Sequence, residues 1–529
     1  MIRSTFASFV TAQLGLQASQ RALDVTGQNM ANVNTVGYTR QRVDLVSVTS
    51  GGYTNRYAFR PSNEIGQGVK VAGISQVRDQ FLDVRFRREY SKLGEAEAKY
   101  AVLDDLSSVF DEISVTGLNN QITDFVSQLQ SLSTQTGNSE FDGIVRASAE
   151  MLAKLFNQYS KQIETVREQQ TYQLEKIDVL RVNTILESIA GLNQSIREDQ
   201  TYGNPSLELK DQRNLLLDEL SQYTKIDVNY TPVELAPGII VEDVNISMVS
   251  DTIPTTYTSL VDNINFATLT TGKDVDGNSQ IFLTDWAPTP VTSEITDKVT
   301  NGVLKGLLDQ LNKSGEFDTP PSDERGIGFY ANMLDILAQQ VAERFNEANS
   351  YRNPNYDPLD PSQGPEFLSD HPLFENFNGG TAGITAANIS TAQGWMRNEY
   401  GITTTKRELA GDNSGARDNV LYMISLFSTK FDYNTPNGTI FNGTFQEFFS
   451  QTGSILALDT EATGKLVGNY NTVVNGVIDL REGISSVSLD EEGINLLRYQ
   501  KSYNAAARLM TTLDEALDTI ISRMGIVGR

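Results

Sequence analysis

The chain has 529 residues, more than one hydrophobic core serves, so three or four domains are expected. It contains no cysteine and one histidine, His371, which excludes disulfides, thiolate nucleophiles, Cys-ligated metals and multi-histidine metal sites. The formal net charge is −25; residues 1–60 carry six arginines against two aspartates, a net of +4, so the remainder carries −29, an acidic body with no basic stripe for nucleic acid.

In chain order, residues 1 to about 34 read as one helix. Phe6, Phe9, Gln13, Leu16, Gln20 and Leu23 follow steps of three and four, with Met30 one heptad further on, the spacing of a coiled-coil seam. Its other face is Gln, Asn, Ser and Thr rather than charged, which suits burial against neighbours. The segment lacks the apolar stretch and cleavage site of a secretory leader. The helix runs out in NMANVNTVGYTRQ, where Asn34 and Gly37 supply turn chemistry. Strands are expected at 42–48 and 68–74. Helix returns near Gln80, with Phe86, Leu93, Ala96, Tyr100, Leu103 and Phe110 on one face. A long helical run follows from about Phe141 to Asp199, with Ile144, Met151, Leu155, Tyr159, Ile163, Val166, Ile177 and Leu180 as its apolar markers. At 1.5 Å per residue it would span about 85 Å.

From Ile226 the texture changes to alternating Val, Ile, Thr and Tyr with turn residues, an inserted β-rich domain. Helices resume over 301–350. Residues 351–480 are loop-rich, with helical texture at 416–431 and 444–453 and a weaker helical texture to Glu482. The last segment opens on Ser488 and Glu491, the spacing of a capping box. Leu496, Tyr499, Tyr503, Ala506, Met510, Leu513, Leu517, Ile520, Met524 and Val527 then continue an unbroken seam. The expected fold is mainly α with β: terminal coiled-coil helices, a long-helix bundle rod domain and an inserted β-rich domain. The domains are drawn at 1–75, 76–225, 226–300, 301–350, 351–480 and 481–529, the last pairing with the N-terminus.

Searches for chemistry return little. DVDGNS at 274–279 lacks the spacing and twelfth-position Glu of a calcium loop. GQGVKVAG fits neither a dinucleotide nor a P-loop fingerprint. His371 precedes a proline in a loop, and Tyr499 and Tyr503 read as seam packing rather than a sugar platform. No catalytic, cofactor or metal residue is assigned, no cofactor is expected, and the chain is read as no enzyme. No apolar run reaches the ~18 residues of a membrane span, so no membrane insertion is expected. Two adhesive ends on a large middle suggest a subunit that polymerises, with Phe6, Phe9, Leu16, Leu23, Asn34, Gly37, Tyr38, Leu496, Tyr499, Tyr503, Met510, Leu513, Leu517, Ile520 and Met524 as its assembly interface. A lone helix cannot offset the ~1–2 kcal/mol of backbone entropy per residue, so 1–40 and 490–529 are expected to order only on assembly.

Four blocks carry a family resemblance. NMANVNTVGYTRQ (29–41) resembles the Ala-Asn-x-x-Thr-x-Gly-Tyr motif of the rod, hook and hook-associated axial proteins of the bacterial flagellum, with Val36 where proline is common. IGQGVKVAGISQVRDQFLDVRFR (65–87), NGVLKGLLDQLN with LDILAQQVAERFNEANS (301–350), and GISSVSLDEEGINLLRYQKSYNAAARLMTTLDEALDTII (483–521) resemble the hook-associated protein 1 family; in the last, Gly493 stands where a larger residue is usual. The resemblance implies an extracellular structural part joining hook to filament, exported by the flagellar type III apparatus without a cleaved leader. The partners it implies are further copies in a ring, the hook protein, hook-associated protein 3, and an export chaperone on the C-terminal helix. A hook or distal-rod protein is the alternative within the family. An axial protein with a hydrolase in 226–300 or 350–460 is the alternative of another class.

Overall fold

The computed structural model describes residues 5–48, 68–110, 117–136, 138–237, 239–250, 255–353, 355–356, 359, 361–407 and 415–523. The first helix, α1 (Thr5–Ala31), leads into an antiparallel hairpin of β1 (Gln41–Ser47) and β2 (Val69–Gln76), with Gln41 opposite Gln76. A helical body follows: α2 (Gln80–Phe110), α3 (Leu118–Thr134), α4 (Ser139–Tyr172), α5 (Val179–Thr201) and α6 (Leu207–Tyr223).

The long run is real but not uniform, because a π-helical turn at Gln173–Asp178 joins α4 to α5. A π turn holds an extra residue, so one buried line there, Val166, Leu174, Asp178 and Val182, runs in multiples of four, with Val179 buried beside it. The expected markers Ile144, Met151, Ile177 and Leu180 are exposed; Val145, Ala149, Leu152 and Phe156 line the core face instead. On α2 Tyr100 is likewise exposed, while Phe86, Leu93, Ala96, Leu103 and Phe110 are buried.

Residues 226–294 form two small antiparallel sheets. One holds β3 (Ile226–Ala236), β4 (Ile239–Ser250), β5 (Thr256–Asp262) and β6 (Asn265–Phe266) in that order; the other holds β7 (Thr268–Lys273), β8 (Ser279–Thr284) and β9 (Thr292–Glu294). They are docked on the body rather than set apart from it. Val244, Leu260 and Ile281 share one continuous core with Val182, Ile185 and Ile189 of α5. Asn183 both donates to the Leu269 carbonyl at 2.8 Å and accepts from its N–H at 2.7 Å. DVDGNS is a tight turn between β7 and β8, in which Asp274 accepts from the N–H groups of Asp276 and Asn278.

Next come α7 (Val303–Asn312) and α8 (Ile327–Ala348), then three short hairpins interrupted by two helices. In order these are β10 (Tyr351–Arg352) with β11 (Phe367–Leu368), β12 (Phe374–Asn376) with β13 (Ile389–Thr391), α9 (Gln393–Met396), α10 (Asp418–Leu426), and β14 (Phe431–Thr435) with β15 (Gly438–Gly443). His371 is the middle ring of a stack, 4.3 Å from Tyr351 and 4.4 Å from Tyr400. The two remaining helices are α11 (Phe445–Ser485) and α12 (Leu489–Arg523). The helical texture expected at 444–453 and its weaker continuation to Glu482 are one helix, so the border drawn at 480 falls inside it. Its start is a full capping box: Thr444 accepts from the Glu447 N–H at 3.2 Å, and Glu447 accepts from the Thr444 N–H at 2.9 Å. α11 lies antiparallel on α2, joined by a second small core of Phe86, Leu93, Val474 and Val477.

Candidate assembly interface

The terminal helices α1 and α12 pack against each other, antiparallel. A Cβ on Gly15 would lie 3.9 Å from Cβ of Ala506. The seam on α12 is placed as its spacing requires: Leu496, Tyr499, Tyr503, Ala506, Met510, Leu513 and Leu517 all face inward. None of them is fully buried, and Ile520 is 44% exposed. Met524 and Val527 lie outside the described residues.

The seam on α1 is displaced from the expected one. Gln13 and Gln20 are exposed, Phe9, Leu16 and Leu23 are half-buried, and Ala12, Ala18, Ser19, Ala22, Val25 and Thr26 are buried. Small residues let the two backbones approach, and the large side chains then flank the line of closest contact; a tracing that follows large apolar residues therefore lands one position to the side. Phe6 lies in α1, its side chain outside the described set.

Below the helix pair sits a polar joint, built from the motif at 29–41. Asn29, 1% exposed, accepts from the Gln41 N–H at 3.0 Å and from the Tyr38 hydroxyl at 2.9 Å, and donates to the Gln41 carbonyl at 2.9 Å. It turns the end of α1 back onto β1. Asn32 accepts from the Thr35 hydroxyl at 3.2 Å. Gly37 has φ +78°, and a Cβ there would come within 2.5 Å of the Leu215 side chain. Conformation and close approach both demand glycine at this position. Asn34 is exposed; the amide that caps the end of α1 is Asn32, which donates to the Gln28 carbonyl at 3.0 Å. Burial, with Glu208 and Asp211 nearby, pushes the Tyr38 phenol well above its ordinary range, so it stays a neutral donor.

From the joint, contacts radiate to α6, α11 and α12. Thr39 gives its N–H and hydroxyl to Asp211 of α6, at 3.0 and 2.6 Å. Burial raises the Asp211 carboxyl, and the Thr39 bonds pull the other way. The Arg40 N–H donates to the Ser485 carbonyl at the end of α11, at 2.9 Å. Its guanidinium pairs with Glu491 at 2.6 Å and Glu492 at 2.9 Å. Arg481 of α11 pairs with Asp83 at 3.2 Å and Asp218 at 2.7 Å, and lies 4.6 Å over the Phe86 ring. Arg87 shares Asp218 at 2.8 Å. The expected capping box at the start of α12 is therefore half made. Ser488 Oγ accepts from the Glu491 N–H at 3.5 Å, but the Glu491 carboxylate is drawn to Arg40.

Three family models match consecutive parts of the chain. The flagellar hook-associated protein FlgK helical domain covers 103–351, the flagella basal body rod protein 9–39, and the flagellar basal body rod FlgEFG protein C-terminal 483–523. The flagellar hook-associated protein 1 of Bacillus subtilis is 28% identical over 99% of this chain and 100% of its own length. The chain is thus similar along its whole length to flagellar hook-associated protein 1. The Salmonella typhimurium member is 23% identical over 97% of this chain and 98% of its own. The hook protein FlgE of Treponema pallidum is 36% identical, over 15% of this chain and 18% of its own. In fold, the flagellar hook junction protein FlgK from Burkholderia pseudomallei matches with TM-score 0.52 over 76% of this chain and 100% of that one, at 12% identity. The rod-protein matches fall on α1 with its joint and on α12. The helical-domain match spans helices and both sheets together, as the shared core does. The chain is a structural component of the flagellum. Among the described residues no cluster of three or more His, Asp or Glu is placed to hold a metal ion, and no helix is long and apolar enough to cross a membrane.

Proposed function

We propose that this chain is the subunit that joins hook to filament, and that it assembles through its paired terminal helices. One observation carries this reading: the α12 seam stays half-exposed even after α1 covers it, while the body core is sealed. Two helices cannot enclose a coiled-coil seam with apolar residues on further faces; Ile494, Leu497 and Leu509 of α12 point outward and stay exposed. Further helices from neighbouring copies would complete the burial, each large apolar side chain adding about 1.5–3 kcal/mol. Copies arranged as a ring would rest on the hook protein and receive hook-associated protein 3. The open α12 seam would be held by an export chaperone until the chain passes through the type III apparatus to the cell exterior.

The test is Leu513→Asp, with Asp518→Ala as an off-seam control. A carboxylate at 513 would be enclosed without a partner once neighbours pack, at a cost on the order of several kcal/mol per copy. We expect both purified proteins to melt like the wild type, and Leu513→Asp cells alone to carry hooks without filaments while releasing filament subunits. Full-length filaments on Leu513→Asp cells would show that this seam is not an assembly interface.

A further inference from the structure

Resting on the reading that copies of this chain pack side by side, we propose that an outward stripe of α2 in one copy docks on an outward seam of α11 in the next. α11 turns Val474 and Val477 toward α2. About a third of a turn around the same helix runs a second seam that nothing covers among the described residues. Leu466, Val473 and Leu480 occupy one heptad position, and Asn469, Gly476 and Gly483 the other; all six are exposed. A Cβ on Gly476 or Gly483 would meet nothing within 4 Å, so packing inside the chain does not call for glycine there. Glycine inside a helix is destabilising relative to alanine. A glycine at every seventh position leaves a groove in which another helix can lie close.

The complementary stripe is on α2, where Phe81 and Val84 are 71% and 56% exposed among Arg85, Arg88 and Lys92. Arg85 forms no ion pair among the described residues, and Arg88 and Lys92 reach only Glu89 of their own helix. Beside the α11 seam the charges are reversed. Asp479 and Glu482 are exposed and form no ion pair among the described residues, and Glu461 pairs only with Lys465. The two stripes thus match in apolar centre and oppose in charge, yet lie on different outer faces of one helix pair, so they meet only between copies. A symmetric contact of α11 on α11 would set Asp479 and Glu482 against their own counterparts. The head-to-tail contact does not, and it repeats from copy to copy. Both stripes stand directly above the terminal pair: Phe81 follows β2, and Leu480 precedes α12.

The chain has no cysteine, so introduced cysteines report the contact cleanly. Val84→Cys is combined in turn with Leu466→Cys, Val473→Cys and Leu480→Cys, and flagella assembled by the cells are oxidised. At least one pair should give a ladder of dimers, trimers and higher species on a non-reducing gel, and no single cysteine should give any. Separately, Asp479→Arg with Glu482→Arg should cut the fraction of cells bearing filaments at least tenfold, and adding Arg85→Glu with Arg88→Glu should restore it. Monomers from every pair in flagella that contain the protein, dimers from one α11 cysteine alone, or no restoration would overturn the contact while leaving the terminal-helix assembly standing. Absence of the wild-type protein from flagella would sink both.

Discussion

At the scale of single residues, the side chain most at odds with its surroundings is Asp178. It closes the π turn, is 4% exposed, and accepts one bond from Gln173 at 3.1 Å, while its other oxygen has no partner. Burial raises its carboxyl to about 6, with the Gln173 bond pulling the other way. Between the ordinary aspartate range and about pH 6, the folded state therefore holds a proton that the unfolded chain has released. Its contribution to stability is fully present below the ordinary aspartate range and is lost as pH rises through about 6. At neutral pH the charged form costs up to about 3 kcal/mol. Asp178→Asn keeps the acceptor for Gln173, so the variant is expected to melt higher than wild type at pH 7.5 and no higher at pH 3.5. Equal midpoints at pH 7.5 would place the proton elsewhere.

At the scale of elements, α11 shows how a long helix is started and held. Its capping box pairs two otherwise unsatisfied donors, and the chain enters it from β15 with extended backbone at Thr444. Thr444→Ala should cost about 1 kcal/mol and lower the urea midpoint without changing the slope. The same substitution at Ser488 should cost less, because Glu491 is already committed to Arg40. A denaturation series on the two variants checks the order. The contrast has a physical lesson: the Ser-x-x-Glu spacing was visible at 488–491 in the sequence, but an arginine 451 residues away in the chain captured the acid.

At the scale of the whole molecule, the body and the terminal pair differ in how far they are sealed. The body has one continuous core with many side chains at 0% exposure; on α12 of the terminal pair, Glu492 alone is buried among the described residues. In dilute full-length protein, hydrogen exchange should be fast over about 5–24 and 500–523 and slow through the body. Protection should return by Asn29, because the joint anchors 29–41 to α6 and α11. The border thus falls inside the helices, rather than at residues 40 and 490 as the spacing alone suggests. Slow exchange along both helices in the monomer would mean that the pair is stable without neighbours.

Local periodicity by itself determined much of this protein. Steps of three and four declare the helix on α12 and which of its faces is apolar, two alternating stretches declare the β1–β2 hairpin, and Gly37 declares a left-handed turn. The missing cysteines and single histidine exclude whole chemistries. Only the tertiary structure decided what covers each face. Periodicity shows that an apolar face exists but not how closely a partner can approach it, which is why Gly15 and Ala22 outrank Leu16 and Leu23 at the α1 seam. A π turn changes phase without a sequence mark strong enough to read, so Ile177 and Leu180 pointed outward; Ile144 and Met151, well before the turn, lost the core face to their neighbours Val145 and Leu152. The joint was the least legible part. Asn29, Thr39, Arg40, Asp211 and Arg481 are ordinary polar residues in separate segments, and each gains its role from a partner that only folding brings within hydrogen-bond reach.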